Sequence, residues 1–172
     1  MPYVEAAVLV PLLRTAEGDR LVMVVRGEGG VHGGQLGFPG GKRYPGDATL
    51  VDTAVREAAE ETGLDPAGVV ILARLPVVET RTTGFLVAPF LAQIQRPDRW
   101  QPQPSEIAEI IEAPVGVLAA PDARGETMMD FPTWPQEKLT PYFALGEHRV
   151  WGLTYRILAP LLPRLVAGEW GP

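Results

Sequence analysis

The stretch of sequence that decides the fold lies at residues 56–64 and reads Arg56-Glu57-Ala58-Ala59-Glu60-Glu61-Thr62-Gly63-Leu64. Just upstream, Thr49 with Asp52 three residues later predicts a capping box at the start of a helix. Gly63, followed by Pro66, predicts the end of that helix. Between these signals apolar residues recur at helical spacing, namely Leu50, Ala54, Val55, Ala58 and Ala59. The region therefore predicts a helix with one apolar face.

Three carboxylates share one face of this predicted helix, because Glu57, Glu60 and Glu61 stand at positions i, i+3 and i+4. Their mutual repulsion lowers helix stability unless cations offset it, and Mg²⁺ or Mn²⁺ prefer such oxygen ligands. A solvated acidic surface is the commoner role of a Glu-rich helix. The preceding segment, Gly37-Phe38-Pro39-Gly40-Gly41, favours a metal site, because paired glycines let backbone carbonyls approach a cation or phosphate closely.

Strands are predicted on both sides of the helix. Residues 3–13 and 21–25 predict a strand pair, residues 69–75 and 84–94 predict two more strands, and residues 150–152 predict a last strand end. The proline-rich residues 96–104 and 131–141 predict loops, while residues 105–112 fit either a short helix or a strand. A leucine stripe over residues 153–165 predicts a closing helix, which Pro160 and Pro163 are expected to bend or break. We therefore predict a single domain over residues 1–172 with an α/β sandwich architecture.

Composition and charge exclude several classes of partner and site. A formal net charge of -6 argues against general nucleic-acid or membrane-surface binding, because phosphate polyanions would be repelled. The absence of cysteine excludes disulfides, zinc–thiolate sites and a cysteine nucleophile. With neither a signal-peptide pattern nor an apolar stretch of membrane-spanning length, the expected location is the cytoplasm. The absence of Asn, the 18 prolines and the excess of Arg over Lys indicate a heat-adapted or GC-rich source.

Residues 56–64 resemble the signature of the Nudix hydrolase family. That signature is a Gly, five residues, a Glu, seven residues, then Arg-Glu-aliphatic-x-Glu-Glu-x-Gly-aliphatic, and this chain supplies Gly41 and the whole second half. The spacing from Gly41 to Arg56 is one residue longer, and Asp47 and Ala48 stand at or beside the place of the early Glu. The resemblance implies an α/β/α sandwich with a mixed central sheet. It also implies Mg²⁺ or Mn²⁺ held by Glu57, Glu60, Glu61 and the Gly41 carbonyl, and hydrolysis of a nucleoside diphosphate linked to another group.

The one-residue extension is similar to a subgroup of that family, the coenzyme A pyrophosphatases. The similarity includes His32-Gly33-Gly34-Gln35 leading into Phe38-Pro39-Gly40-Gly41, and the late Val150-Trp151-Gly152-Leu153-Thr154. It implies cleavage of coenzyme A into 3',5'-ADP and 4'-phosphopantetheine. One alternative is a Nudix enzyme that acts on ADP-ribose or a dinucleotide. A non-catalytic nucleotide-binding module is a further alternative, which the presence of all three glutamates disfavours.

Further residues receive candidate roles from their spacing and charge or from the same resemblance. Arg56 lies four residues from both Asp52 and Glu60 and is expected to pair with both. Either Glu57 or Glu61 is expected to orient the attacking water, and Glu106 is favoured as the general base over Glu79, Glu109 and Glu112. Candidate substrate contacts are Arg26, His32, Gln35, Phe38 and Arg81. The alternatives for these are solvated arginines, loop-stabilising roles for His32 and Gln35, and a core position for Phe38. Trp151 is expected to pack in the interior, the expected partner is a small nucleotide, and a homodimer is left open.

Overall fold

Eleven strands, three α-helices and two short 3-10 helices are formed within residues 2–29, 33–80 and 83–171, the parts of the chain that this computed structural model describes. The strands are β1 (Val4–Thr15), β2 (Gly18–Arg26), β3 (Leu36–Gly37), β4 (Gly40–Lys42), β5 (Val70–Arg74), β6 (Val78–Glu79), β7 (Phe85–Ile94), β8 (Ile107–Pro114), β9 (Arg124–Met129), β10 (Lys138–Leu145) and β11 (His148–Val150). The α-helices are α1 (Leu50–Thr62), α2 (Val115–Leu118) and α3 (Gly152–Val166).

Strand β1 organises a mixed sheet. It runs parallel to β7 and antiparallel to both β2 and β4. Strands β3 and β8 extend the sheet from β2, and β5 and β6 extend it from β7, all of them antiparallel. The predicted strands at residues 3–13, 21–25, 69–75 and 84–94 are therefore confirmed, and residues 105–112, which fitted two structures, contribute to strand β8.

Both faces of this sheet are covered, because successive side chains of β1 point to opposite sides. Ala7 and Leu9 pack with Ala54 and Ala58 of α1 in one core cluster. The alternate residues of β1 point to the other face and form a larger cluster with α3, which includes Val8, Val10, Leu12, Leu158 and Leu161. The structure thus confirms the predicted sandwich with a mixed central sheet. None of the helices in the described ranges combines the length and the apolar character needed to cross a membrane.

Helix α1 begins and ends at the residues predicted for it. The Thr49 side chain accepts a hydrogen bond from the Asp52 amide, and the Asp52 carboxylate accepts one from the Thr49 amide at 2.8 Å. At the other end Gly63 adopts the left-handed conformation with φ 76°, which a glycine tolerates without strain. These local signals fix which face of α1 meets the sheet and therefore which face carries the glutamates.

The structure corrects one expectation for the C-terminal third and narrows another. The loop predicted at residues 131–141 extends only to residue 137, because β10 begins at Lys138 and pairs with β9 and β11 in a second, antiparallel sheet. Helix α3 continues through Pro160 and Pro163 without a break. Its buried stripe, which includes Leu158, Leu161 and Leu162, packs on the core and offsets the cost of the two missing backbone donors.

Candidate active site

The carboxylate of Glu57 lies directly against the backbone of Gly41. A methyl group built on Gly41 would approach Glu57 Oε1 to 2.5 Å and its Cδ to 2.6 Å. Strand β4 holds Gly41 opposite Ala7 of β1, and α1 packs on the same face of the sheet through Ala54 and Ala58. Only a glycine at position 41 therefore permits this close approach between the glycine-rich strand and the acidic helix.

Glu61 lies one helical turn further along α1 and is almost completely buried, with a side chain 1% exposed. Its Oε1 accepts a hydrogen bond from Arg26 Nη1 at 2.7 Å, and its Oε2 accepts one from the Gly40 amide at 3.3 Å. Arg26 Nη2 also donates to the Phe38 carbonyl at 3.4 Å. Arg26, a candidate substrate contact, therefore neutralises the most buried glutamate of the helix in this structure.

Asp47 fixes the position of Arg56 through two hydrogen bonds. Arg56 Nε donates to Asp47 Oδ1 at 2.8 Å, and Arg56 Nη2 donates to Asp47 Oδ2 at 2.9 Å. The Tyr44 amide and the Thr53 hydroxyl also donate to Oδ2, each at 2.9 Å. These hydrogen bonds, above all those from Arg56, lower the pKa of Asp47 far below its ordinary value.

The expected partners of Arg56 need a partial correction. Arg56 Nη1 contacts Glu57 Oε1 at 3.1 Å and Glu60 Oε2 at 3.4 Å, so the pairing with Glu60 is confirmed. The pairing with Asp52 is wrong, because the Asp52 carboxylate is committed to the amide and hydroxyl of Thr49. Asp47, which stands where the family signature has its early Glu, is the partner instead, and it ties the loop before α1 to the acidic face of the helix.

The glutamates of α1 influence one another electrostatically. Burial raises the pKa of Glu57, Arg56 lowers it, and the charges of Glu60 and Glu106 raise it further. Burial is also the largest cause that raises the pKa of Glu61, with a contribution from Glu57 in the same direction. Crowded, partly desolvated carboxylates of this kind are destabilised as anions, and a bound cation would relieve that cost.

Among the described residues, no three acidic or histidine side chains lie close enough to hold a metal ion together. Of the three glutamates of α1, Glu57 is the one that lies against Gly41. Glu61 is paired with Arg26, and the side chain of Glu60 is 51% exposed. The donor set is nevertheless composed only of oxygen atoms, which suits Mg²⁺ or Mn²⁺. The assignment of Gly41, Glu57, Glu60 and Glu61 as metal ligands stays a prediction.

The four candidates for the general base lie in different surroundings. Glu112 accepts hydrogen bonds from Arg96 and Trp100, and Glu79 accepts one from the Tyr3 hydroxyl. Glu109 is exposed on β8, paired with Val25 of β2. Glu106 is exposed next to the start of β8, its carbonyl accepts from the Gly27 amide at 2.8 Å, and its charge reaches Glu57. The choice of Glu106 among the four as the base stays a prediction.

Of the four remaining candidate substrate contacts, the structure describes Phe38 and Gln35. Phe38 is 3% exposed and belongs to the larger core cluster, so its assignment as a substrate contact is wrong and the core alternative holds. Gln35 lines a surface cavity, and its carbonyl accepts a hydrogen bond from the Arg26 amide. His32 and Arg81 lie outside the described residues.

The sequence did not reveal that this cavity borders on the second sheet. Glu147 of the turn after β10 lines the cavity, together with His148 and Arg149 of β11 and with Trp151. Trp151 is half-buried, so the expected interior position is only partly realised. The adjacent hairpin carries a recognisable signal, since Gly146 at φ 58° allows the tight turn between β10 and β11.

Comparison with known proteins gives matches in both sequence and structure. The NUDIX domain profile matches residues 4–129. The human mitochondrial coenzyme A diphosphatase NUDT8 is 35% identical over 173 residues, covering 97% of this chain and 72% of the relative. A NudL Nudix hydrolase of Pectobacterium atrosepticum is 31% identical over 157 residues, covering 91% of this chain and 80% of the relative. A MutT/nudix family protein of Enterococcus faecalis superposes with a TM-score of 0.63 at 15% identity, covering 97% of this chain and 63% of the other.

Proposed function

Because this chain belongs to the Nudix hydrolase family, we propose that it hydrolyses the pyrophosphate of coenzyme A, yielding 3',5'-ADP and 4'-phosphopantetheine. The observation that carries this choice of substrate is the 35% identity to the human coenzyme A diphosphatase NUDT8 over 97% of this chain. The contact between Gly41 and the Glu57 carboxylate supports the same proposal, because it joins the two halves of the family signature in space.

The acidic face of α1 would hold the divalent cation on which Nudix hydrolysis depends. We assign Glu57, Glu60, Glu61 and the Gly41 carbonyl to this role, with Mg²⁺ or Mn²⁺ as the ion. When bound, the cation offsets the charge of the pyrophosphate and lowers the pKa of a bound water. Arg26 would release Glu61 in the loaded enzyme and so become available to a substrate phosphate.

The chain itself supplies proton acceptors and positioning contacts. A carboxylate, for which we favour Glu106, accepts the proton of the attacking water as the new phosphorus–oxygen bond forms. The bridging phosphorus–oxygen bond breaks, and the electron pair leaves with the departing phosphate. Arg56 acts as a positioning residue, because Asp47 fixes its guanidinium between Glu57 and Glu60.

The test compares coenzyme A with ADP-ribose as substrates in the presence of Mn²⁺. We expect the higher kcat/KM with coenzyme A and the two products named above, identified by mass spectrometry. Faster turnover of ADP-ribose would overturn the choice of substrate while leaving the family chemistry in place. Dinucleotides belong in the same comparison.

The assignment of the catalytic helix is tested by Glu57→Gln. Removal of this charge should lower kcat by about 10²–10³-fold, because the cation that would offset the charge of the transition state is held less tightly. Glu126→Gln is the matched control, since Glu126 is an exposed glutamate of β9 in the second sheet. Full activity of Glu57→Gln would contradict the assignment, and circular dichroism establishes that both variants are folded.

A further inference from the structure

A cavity of about 560 Å³ opens between the glycine-rich segment before β3 and the second sheet. Gln35 lines it on one side, and Glu147, Arg149 and Trp151 line it on the other. Its size is within the range of small-molecule sites in proteins. The ring of Trp151 makes edge-on contacts with the rings of Phe131 and Trp134, at centroid distances of 5.5 Å and 5.8 Å. These contacts fix the orientation of the aromatic ring that lines the cavity.

The cavity is connected to the acidic helix through Arg26. The Arg26 amide donates to the Gln35 carbonyl, and the Arg26 carbonyl accepts from the Gly34 amide, each at 2.9 Å. The side chain of the same Arg26 donates to Glu61. Arg26 therefore contacts the cavity wall through its backbone and the proposed catalytic helix through its side chain, so the cavity and the acidic helix are separated by a single residue.

The cavity carries a cation suited to a phosphate. Arg149 is exposed and stacks over the Tyr142 ring at 4.8 Å, and it forms no ion pair with any carboxylate in the described parts of the chain. Arginine binds phosphate oxygens through two parallel hydrogen bonds, and aromatic faces stack on nucleobases. Among the described residues, Arg149 is the one arginine that lines this cavity.

We propose that this cavity binds the 3'-phosphoadenosine end of coenzyme A, with Arg149 on the 3'-phosphate and Trp151 beside the adenine. This inference rests on the proposed function. Of the two groups that flank the pyrophosphate of that substrate, the pantetheine arm is uncharged and has no aromatic ring. Only the adenosine end presents both a planar base and an additional anionic phosphate, so it alone matches the two features of the cavity.

Glu147 supplies an independent check, because it is a carboxylate that lines the same cavity. A phosphate bound at Arg149 would be repelled by this neighbouring negative charge. Removal of the charge should therefore strengthen the binding of a 3'-phosphorylated substrate. The two residues thus give substitutions with opposite expected effects on one ligand group.

The experiment measures kcat and KM for coenzyme A and for dephospho-coenzyme A, which lacks the 3'-phosphate. Arg149→Gln should lower kcat/KM for coenzyme A about tenfold, mainly through KM, and leave dephospho-coenzyme A unchanged. Glu147→Gln should raise kcat/KM for coenzyme A alone. Arg124→Gln is the matched control, because Arg124 is an exposed arginine of the same sheet that stacks on Phe143 and Tyr155 and does not line the cavity.

The outcomes separate this inference from the proposed function. Equal losses with both substrates, or no loss with either, would overturn the assignment of Arg149 to the 3'-phosphate while coenzyme A hydrolysis stands. Equal losses would instead place Arg149 at a group that both substrates share, including the pantetheine arm. Failure of the unsubstituted enzyme to hydrolyse either compound would overturn the proposed function itself, and with it this inference.

Discussion

Substitution of Gly41 by alanine tests the contact on which the active site depends. The new methyl group would stand 2.5 Å from Glu57 Oε1, whereas an ordinary contact requires at least 3.4 Å. The carboxylate must therefore retreat by about 0.9 Å. A displacement of about 1 Å in a catalytic group costs on the order of 10²-fold in rate. We accordingly expect kcat to fall about 100-fold.

The fold should survive this substitution. The clash involves the far end of a flexible side chain rather than backbone, and Gly41 does not have a positive φ. Where the backbone conformation suits alanine, the exchange changes the free energy of unfolding by about 1 kcal/mol or less. Gly41→Ala should therefore unfold close to the temperature of the unsubstituted protein while hydrolysing coenzyme A slowly.

Two neighbouring glycines provide the controls for this assay. A methyl group on Gly46 would meet nothing within 4 Å, so Gly46→Ala should keep both activity and stability. A methyl group on Gly40 would stand 2.3 Å from the carbonyl oxygen of Ala7, so Gly40→Ala should destabilise the fold by about 1–3 kcal/mol or more. Full activity of Gly41→Ala, measured by release of 3',5'-ADP, would show that the close contact between Gly41 and Glu57 is not needed for catalysis.

Three further predictions concern the base, the loop before the helix and the metal. Glu106→Gln should lower kcat by about 10²-fold with KM unchanged, and an unaltered kcat would exclude Glu106 as the base. Asp47→Asn should lower the free energy of unfolding. The pKa of Asp47 in the folded state is depressed, so the stability lost in Asp47→Asn should be largest above the ordinary pKa of 3.8 and should shrink as the pH falls below it. Denaturant titrations at several pH values measure this loss. A loss that does not depend on pH would contradict the assigned ion pair. Removal of divalent ions with a chelator should abolish turnover and added Mn²⁺ should restore it, so persistent activity would contradict a metal requirement.

The helix and its acidic face could be predicted from sequence because their signals are local. The capping pair Thr49 and Asp52, the terminal Gly63 and the spacing of the three glutamates all lie within one short segment. The partner of Arg56 was not predictable in the same way. Helical spacing predicted Asp52 as the partner of Arg56. The sequence alone does not show that the Asp52 carboxylate already accepts a hydrogen bond from the Thr49 amide.

Strand β10 was missed because Pro141 argues against a strand that is paired on both sides. The structure resolves this conflict, since β11 pairs only with Phe143 to Leu145 of β10. At Pro141 the strand is therefore an edge on that side, and the missing amide hydrogen is tolerated there. The cavity lined by Arg149 and Trp151 depends on this second sheet, so the sequence pattern did not reveal it either.

The position of a bound metal ion is the most direct test of the proposed site at Gly41 and the acidic face of α1. Crystals of the protein soaked with Mn²⁺ would locate the ion by its anomalous scattering. We expect a peak at about 2–2.2 Å from oxygens of the Glu57 carboxylate and the Gly41 carbonyl, with Glu61 released from Arg26 to join them. Ions bound only elsewhere on the surface, with Glu61 still paired to Arg26, would contradict the proposed site.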